Sequence, residues 1–356
     1  MSDFKINSIA TKQGQNGPVI AGVSTVNSTG CMKIPSGPTE HRGGRGRGVF
    51  GTGYNNAPNS SLNSMQFVTI ATTGDTEDFG DLADSSIGKA SFGSATRGFF
   101  AGGDSVPGQA DNKAIEFTIL SSSGGGNDFG DMTSTKAYLN GMSNDVRGFM
   151  VGGATTPEYV NQNTIEFVTM ASTGNANDFG DLSIITRSGS SAASNTRGIL
   201  QIGQSNPLTE GYRRIEFITL STLGNSQNFG EITTLAKAGA AAFASSTRAC
   251  FCGGGGTTDS TSHISNIIDF VTIATLGNAQ DFGDMTVKVN SLAATGNSIR
   301  GLHAGGRTGT PAAEALQNVI GFVTIATTGN ASDFGDLVTP TRYLAGCSDS
   351  HGGIGE

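Results

Sequence analysis

Residues 165–182 read IEFVTMASTGNANDFGDL, and versions of this phrase return along the whole chain. Its Phe-Gly-Asp or Phe-Gly-Glu triplet starts at Phe79, Phe129, Phe179, Phe229, Phe282 and Phe334, in steps of 50, 50, 50, 53 and 52 residues. A second marker, an arginine that opens a short apolar run, stands at Arg47, Arg97, Arg147, Arg197, Arg248 and Arg300. Two markers in register over six copies are the mark of a repeat architecture.

One unit reads as four short strands. In residues 138–182 they are a, Tyr138 to Ser143; b, Arg147 to Gly153; c, Ile165 to Ala171; and d, Asp178 to Leu182. Turn formers separate them, and no stretch carries the 3.6-residue apolar period of a helix. In strand c, Ile165, Phe167 and Thr169 point one way and Glu166, Val168 and Met170 the other. Both faces carry apolar side chains, so both are expected to be buried.

The ends decide between a ring and an open stack. The first unit begins at strand b, with Arg47-Gly48-Val49-Phe50, and no strand a of the repeat type precedes it. The last is followed by an extra strand a, Tyr343 to Ser348. If that strand completes the first blade, the sheet edges of an open array are covered. The expected fold is all-β: a kelch-like, six-bladed β-propeller over residues 47–356, with four-stranded blades closed by the C-terminal strand. A short N-terminal docking arm and Gly/Arg hinge occupies residues 1–46.

Composition agrees. Glycine is the commonest residue at 54, and no Gly-X-Y period goes with it, so the glycines serve turns. A net charge of -8 argues against a nucleic-acid surface. No apolar run reaches the roughly 20 residues of a membrane span, and Met1 to Lys5 lacks a signal-peptide pattern. The chain is expected to be soluble and folded in a cytoplasm. Cys31, Cys250, Cys252 and Cys347 show neither a C-x-x-C pair nor a zinc spacing, and read as small buried residues.

The recurring side chains read as structural. Arg97, Arg147 and Arg197, with Phe129, Phe179, Asp131 and Asp181, stand at equivalent places in their units. A planar guanidinium there suits either the recurring carboxylate or several turn carbonyls. No metal or cofactor site is expected, since the Asn- and Asp-rich Gly174 to Asp181 lacks the calcium-loop spacing. His41, His263, His303 and His351 have no partner at ligand spacing, and no catalytic motif is found, so the chain is read as a non-enzyme.

Strand alternation sends the a–b and c–d connections to one face and the b–c and d–a connections to the other. The b–c stretches differ most between units and carry Tyr54, Asp104, Tyr159, Tyr212, Arg213, His263 and Arg307, which makes them candidate partner-binding loops. In the arm, Val19, Ile20, Val23 and Val26 form a β-prone run too short for a core of its own, expected to dock on the propeller or on another chain.

RGFFAGG (97–103), IEFVTMASTGNANDFGDL (165–182), CSDSHGG (347–353) and the arm phrase GPVIAGVSTVNSTG (17–30) resemble the kelch-type repeats of virion structural proteins from tailed phages of marine cyanobacteria. Kelch repeats proper carry a Trp where this chain has Phe79 and its equivalents. The resemblance implies a virion component of tail, fibre or head surface, assembled in the host cytoplasm, with other virion proteins as partners, in part through the arm. A homo-oligomer is compatible with it. Two readings follow: a propeller that presents a protein-interaction surface, or one that binds host-surface glycan.

Overall fold

Strand c of the third unit, Val160–Thr169, buries Ile165, Glu166 and Val168 together, so both faces of its sheet are covered. A sheet buried on both sides must sit between two others, and six such sheets can all do so only in a ring. The computed structural model has this form. It describes residues 46–56, 60–106, 108, 110–205, 213–233, 237–255, 264–309 and 314–354. Val19, Ile20, Val23 and Val26 of the arm, and Tyr212 and His263, lie outside the described residues.

The chain is a six-bladed β-propeller. Blades 2 to 6 follow the chain, each an antiparallel a-b-c-d sheet. Blade 3, for example, is Asn140–Ser143, Arg147–Val151, Val160–Thr169 and Asn177–Thr186. Blade 1 is assembled from both ends. Its inner strand, Ala345–Ser348, pairs with Arg47–Asn55 in the register Gly48↔Ser348 to Gly51↔Ala345. The closure expected from the repeat is therefore present. Strand a of blade 3 starts at Asn140 rather than Tyr138, because Tyr138 has left-handed backbone (φ 57°) that ends the extended run.

The core is divided among the seams. Phe92, Phe99 and Phe129 of blade 2 pack on Leu139, Met150 and Val168 of blade 3. Phe50, Val68 and Ile70 of blade 1 pack on Ala293, Leu302 and Phe334 of blade 6. The seam that closes the ring is thus built like the others. Cys250, Cys252 and Cys347 are buried in these clusters, and burial pushes the Cys252 thiol up to about 12.

The repeat markers act between blades. Each strand-b arginine lies over a strand-c phenylalanine, 4.6–4.9 Å from ring centroid to guanidinium carbon, as in Arg147 over Phe167. That ring meets the triplet phenylalanine edge-on, as Phe167 meets Phe179 at 5.9 Å. The guanidinium then donates to a carbonyl of the next blade: Arg97 to Met170, Arg147 to Leu220 and Arg197 to Ile273. The pairing of these arginines with the recurring carboxylates, left open by the sequence, is not formed. Asp131 takes Lys113 instead, at 3.1 Å, and the Asp181 N–H donates to Asn225 Oδ1 of the next blade at 2.9 Å.

The triplet glycine has a separate task. Gly180 has φ 145°, and a Cβ there would lie 2.6 Å from the carbonyl of Gly224 in the next blade. The close approach lets the Gly224 and Ser226 N–H groups donate to Phe179 and Asp181. The outer edge of each blade is thereby tied to its neighbour.

Candidate ligand-binding mouth

Strand b ends near the axis on the face of the b–c and d–a connections. There a residue at or shortly past the end of strand b pairs with the residue three places before a strand a: Tyr54 with Arg342, Asp104 with Ile87, Ala154 with Ala137, Gln204 with Arg187, and Arg307 with Asn290. These bridges make a collar that fixes Tyr54, Asp104 and Arg307 at matching places around the channel.

Inside the collar lies a second ring of backbone. Gly88, Tyr138, Ser188, Gly239, Ser291 and Tyr343 all have φ between 51° and 66°. Five of the six hand a hydrogen bond round the axis: Tyr343 N–H to Ser291 O, Ser291 to Gly239, and Gly239 to Ser188 at 2.7 Å, Ser188 to Tyr138 at 2.9 Å, and Gly88 to Tyr343 at 3.2 Å. Leu139 N–H to Gly88 O, at 3.3 Å, completes the circle.

Four of the chain's five tyrosines meet over this ring. Tyr138 is central, 5.5 Å from the Tyr343 ring and 5.9 Å from that of Tyr159. The Arg342 guanidinium lies 4.6 Å from the Tyr54 centroid and 5.1 Å from that of Tyr343, and Arg187 lies 4.8 Å from Tyr159. Glu314 holds Arg342 at 2.6 Å and Arg307 at 3.0 Å. Together with Ile87, Asp104, Val106 and Gly108, the tyrosines and Arg342 line an open cup of about 540 Å³.

The electrostatics of the cup are mixed. Asp104 is buried, its Oδ1 has no hydrogen-bond partner, and burial together with the charge of Asp111 pushes its carboxyl up to about 6. Burial and the neighbouring phenols raise the Tyr138 hydroxyl far above its ordinary range, so it stays protonated. The cup therefore offers phenol and guanidinium donors beside carboxylate acceptors.

The other end of the channel is closed by the C-terminal tail. His351 Nε2 lies 3.0 Å from Ser143 Oγ and 2.9 Å from Gly93 O, and Gly352 N–H donates to Ala244 O at 3.0 Å.

Of the candidate loop residues, Tyr54, Asp104 and Tyr159 come together in the cup, and Arg307 supports it through Glu314. Arg213 does not join them: it pairs with Glu231 at 3.4 Å on the outer flank of blade 4. Sequence reading missed the d–a contributors Tyr138, Arg187, Arg342 and Tyr343. A signal for two of them existed, because Tyr138 and Tyr343 each stand two residues before an innermost strand, at Asn140 and Ala345. No protein-family model and no curated protein matches this chain.

Proposed function

We propose that this chain is a non-catalytic recognition module, a virion structural protein whose propeller presents the tyrosine-lined mouth to a partner. One observation carries the recognition reading. Aromatic, guanidinium and carboxylate groups from four blades converge at the centre of the face whose loops vary most between units. Large aromatic rings with polar tips are the side chains that binding surfaces favour. The virion assignment is supported by the resemblance of the repeat, arm and tail phrases. In this reading the arm anchors the chain to the particle and the propeller faces outward.

The test places a photo-reactive benzoylphenylalanine at one of two exposed positions in the full chain. Val160 adjoins Tyr159 on the mouth face, and Leu223 lies in a c–d turn on the opposite face. Chains assembled into purified particles are irradiated, with and without host envelope. The expected result is a cross-link from position 160 and none from 223. Absence of the chain from the particles, or cross-links only from 223, overturns the proposal.

A further inference from the structure

The tyrosines of the mouth are held at a steric cost that the fold does not require. Six non-glycine residues among those described have positive φ, and three are Tyr138, Tyr159 and Tyr343. A left-handed conformation costs an L-residue about 1–2 kcal/mol. At the equivalent places in blades 2 and 5 the backbone ring is closed by Gly88 and Gly239, with φ 64° and 66°. Glycine takes this conformation without the penalty. Ring closure thus explains the dihedral of Tyr138 and Tyr343, as it does that of Ser188 and Ser291, and leaves the two phenol side chains and the left-handed Tyr159 unexplained. Strain kept where a cheaper residue would serve clusters at ligand sites.

The chemistry of the cup selects the ligand. A purely anionic ligand would meet Asp104, and a purely cationic one would meet Arg342, both of which line the cup. A neutral saccharide avoids both conflicts. The C–H face of its ring stacks on phenol rings, and its hydroxyls donate to carboxylates and accept from guanidinium and phenol groups. Asp104 lines the cup, and its buried Oδ1 has no hydrogen-bond partner within the chain. A volume of about 540 Å³ lies within the range of small-molecule sites.

We infer that the mouth is a saccharide-binding site, in which Tyr138, Tyr159 and Tyr343 supply the stacking platform and Asp104 and Arg342 read the hydroxyls. This rests on the recognition reading above and names the ligand class.

The experiment applies the full-length chain to an immobilised library of neutral hexose, deoxyhexose and N-acetylhexosamine oligosaccharides, with uronic-acid and sulfated ones alongside. The wild type is expected to bind neutral members. Tyr138→Gly and Tyr343→Gly are each expected to weaken binding at least tenfold while keeping or raising the melting temperature. Asp104→Asn, nearly the same shape, is expected to weaken it several-fold. Failure of the wild type to bind any member, a preference for the anionic ones, or tyrosine variants that bind unchanged would overturn the inference. Should a glycine variant not fold, Asp104→Asn decides, and undiminished affinity counts against the site. A protein cross-linked at position 160 by a chain that binds no saccharide would sink this inference and leave the recognition reading standing.

Discussion

Arg300 donates from Nη1 to the carbonyl of Ile70 at 3.3 Å, the bond by which the last blade grips the first. It repeats what Arg147 does to Leu220, at 3.0 Å, two blades that are also neighbours in sequence. The closing seam therefore has the same arginine link as a seam within the chain. A second bond from Arg300, to Ala71 at 2.8 Å, reinforces it.

The strand-b arginines act on stability. Arg147→Ala removes the stacking on Phe167 and leaves Leu220 O without its donor. A charge-assisted hydrogen bond contributes about 1.5–3 kcal/mol and an exposed cation–π contact about 0.5–1 kcal/mol. A loss of roughly 2 kcal/mol is expected in a denaturant melt. Arg147→Lys should recover only part, because an ammonium cannot lie flat on a ring and reach the carbonyl together. A melt unchanged by Arg147→Ala would remove the seam role.

Lys136 and Glu166 form an ion pair shut away from water, with side chains 1% exposed. Lys136 also donates to Thr164 Oγ1, and Glu166 Oε2 accepts the Thr133 N–H, each at 2.8 Å. Removing one partner of a buried pair costs about 3–5 kcal/mol, whereas apolar replacement of both is often near neutral. Glu166→Leu should therefore be severe, and adding Lys136→Met should restore most of the stability. Blade 6 already lives without the pair. Val289 and Gly321 stand at the equivalent places, and the His303 ring fills the space above Gly321. Equal melting temperatures for the single and double variants would contradict this account.

Asp104 and His303 bend the pH profile of stability in opposite directions. Burial lowers His303 to about 4 from an ordinary 6.5. The unfolded chain then binds more protons, and stability falls as pH drops from about 6.5 towards 4. Asp104 stands at about 6 against an ordinary 3.8, so the folded chain holds its proton longer and stability falls as pH rises from about 4 to 6. His303→Leu should make the protein more acid-resistant, since Leu200 occupies the equivalent position in blade 4. Asp104→Asn should raise the melting temperature at pH 7 and change it little at pH 4. Melts from pH 4 to 8 check both signs, and parallel curves for all three proteins would refute them.

How far the sequence reached depends on the range of each interaction. The four strands of a unit follow from local alternation and turn chemistry. The pairing of the C-terminal strand with the strand that opens at Arg47 was legible because the first unit lacks the strand that the last one adds, and an unpaired edge is costly; its register, Gly48↔Ser348, was not. The role of Glu166 was half legible: its spacing put it on a packed face, but its partners Lys136 and the Thr133 N–H come from the segment that leads in from the preceding blade.

By itself, then, the sequence determined the blade count, the order of strands and the identity of the two faces, since these depend on period and turn residues alone. The tertiary structure decided what the centre of one face is made of. Tyr138 and Tyr343 share one place in the repeat, but no local pattern relates them to Tyr54 and Tyr159, and the four meet because ring closure brings the d–a and b–c segments of one face together at the axis. Which side chains gather there, and the left-handed backbone that holds them, follow from packing between distant residues. Periodicity carries no record of that.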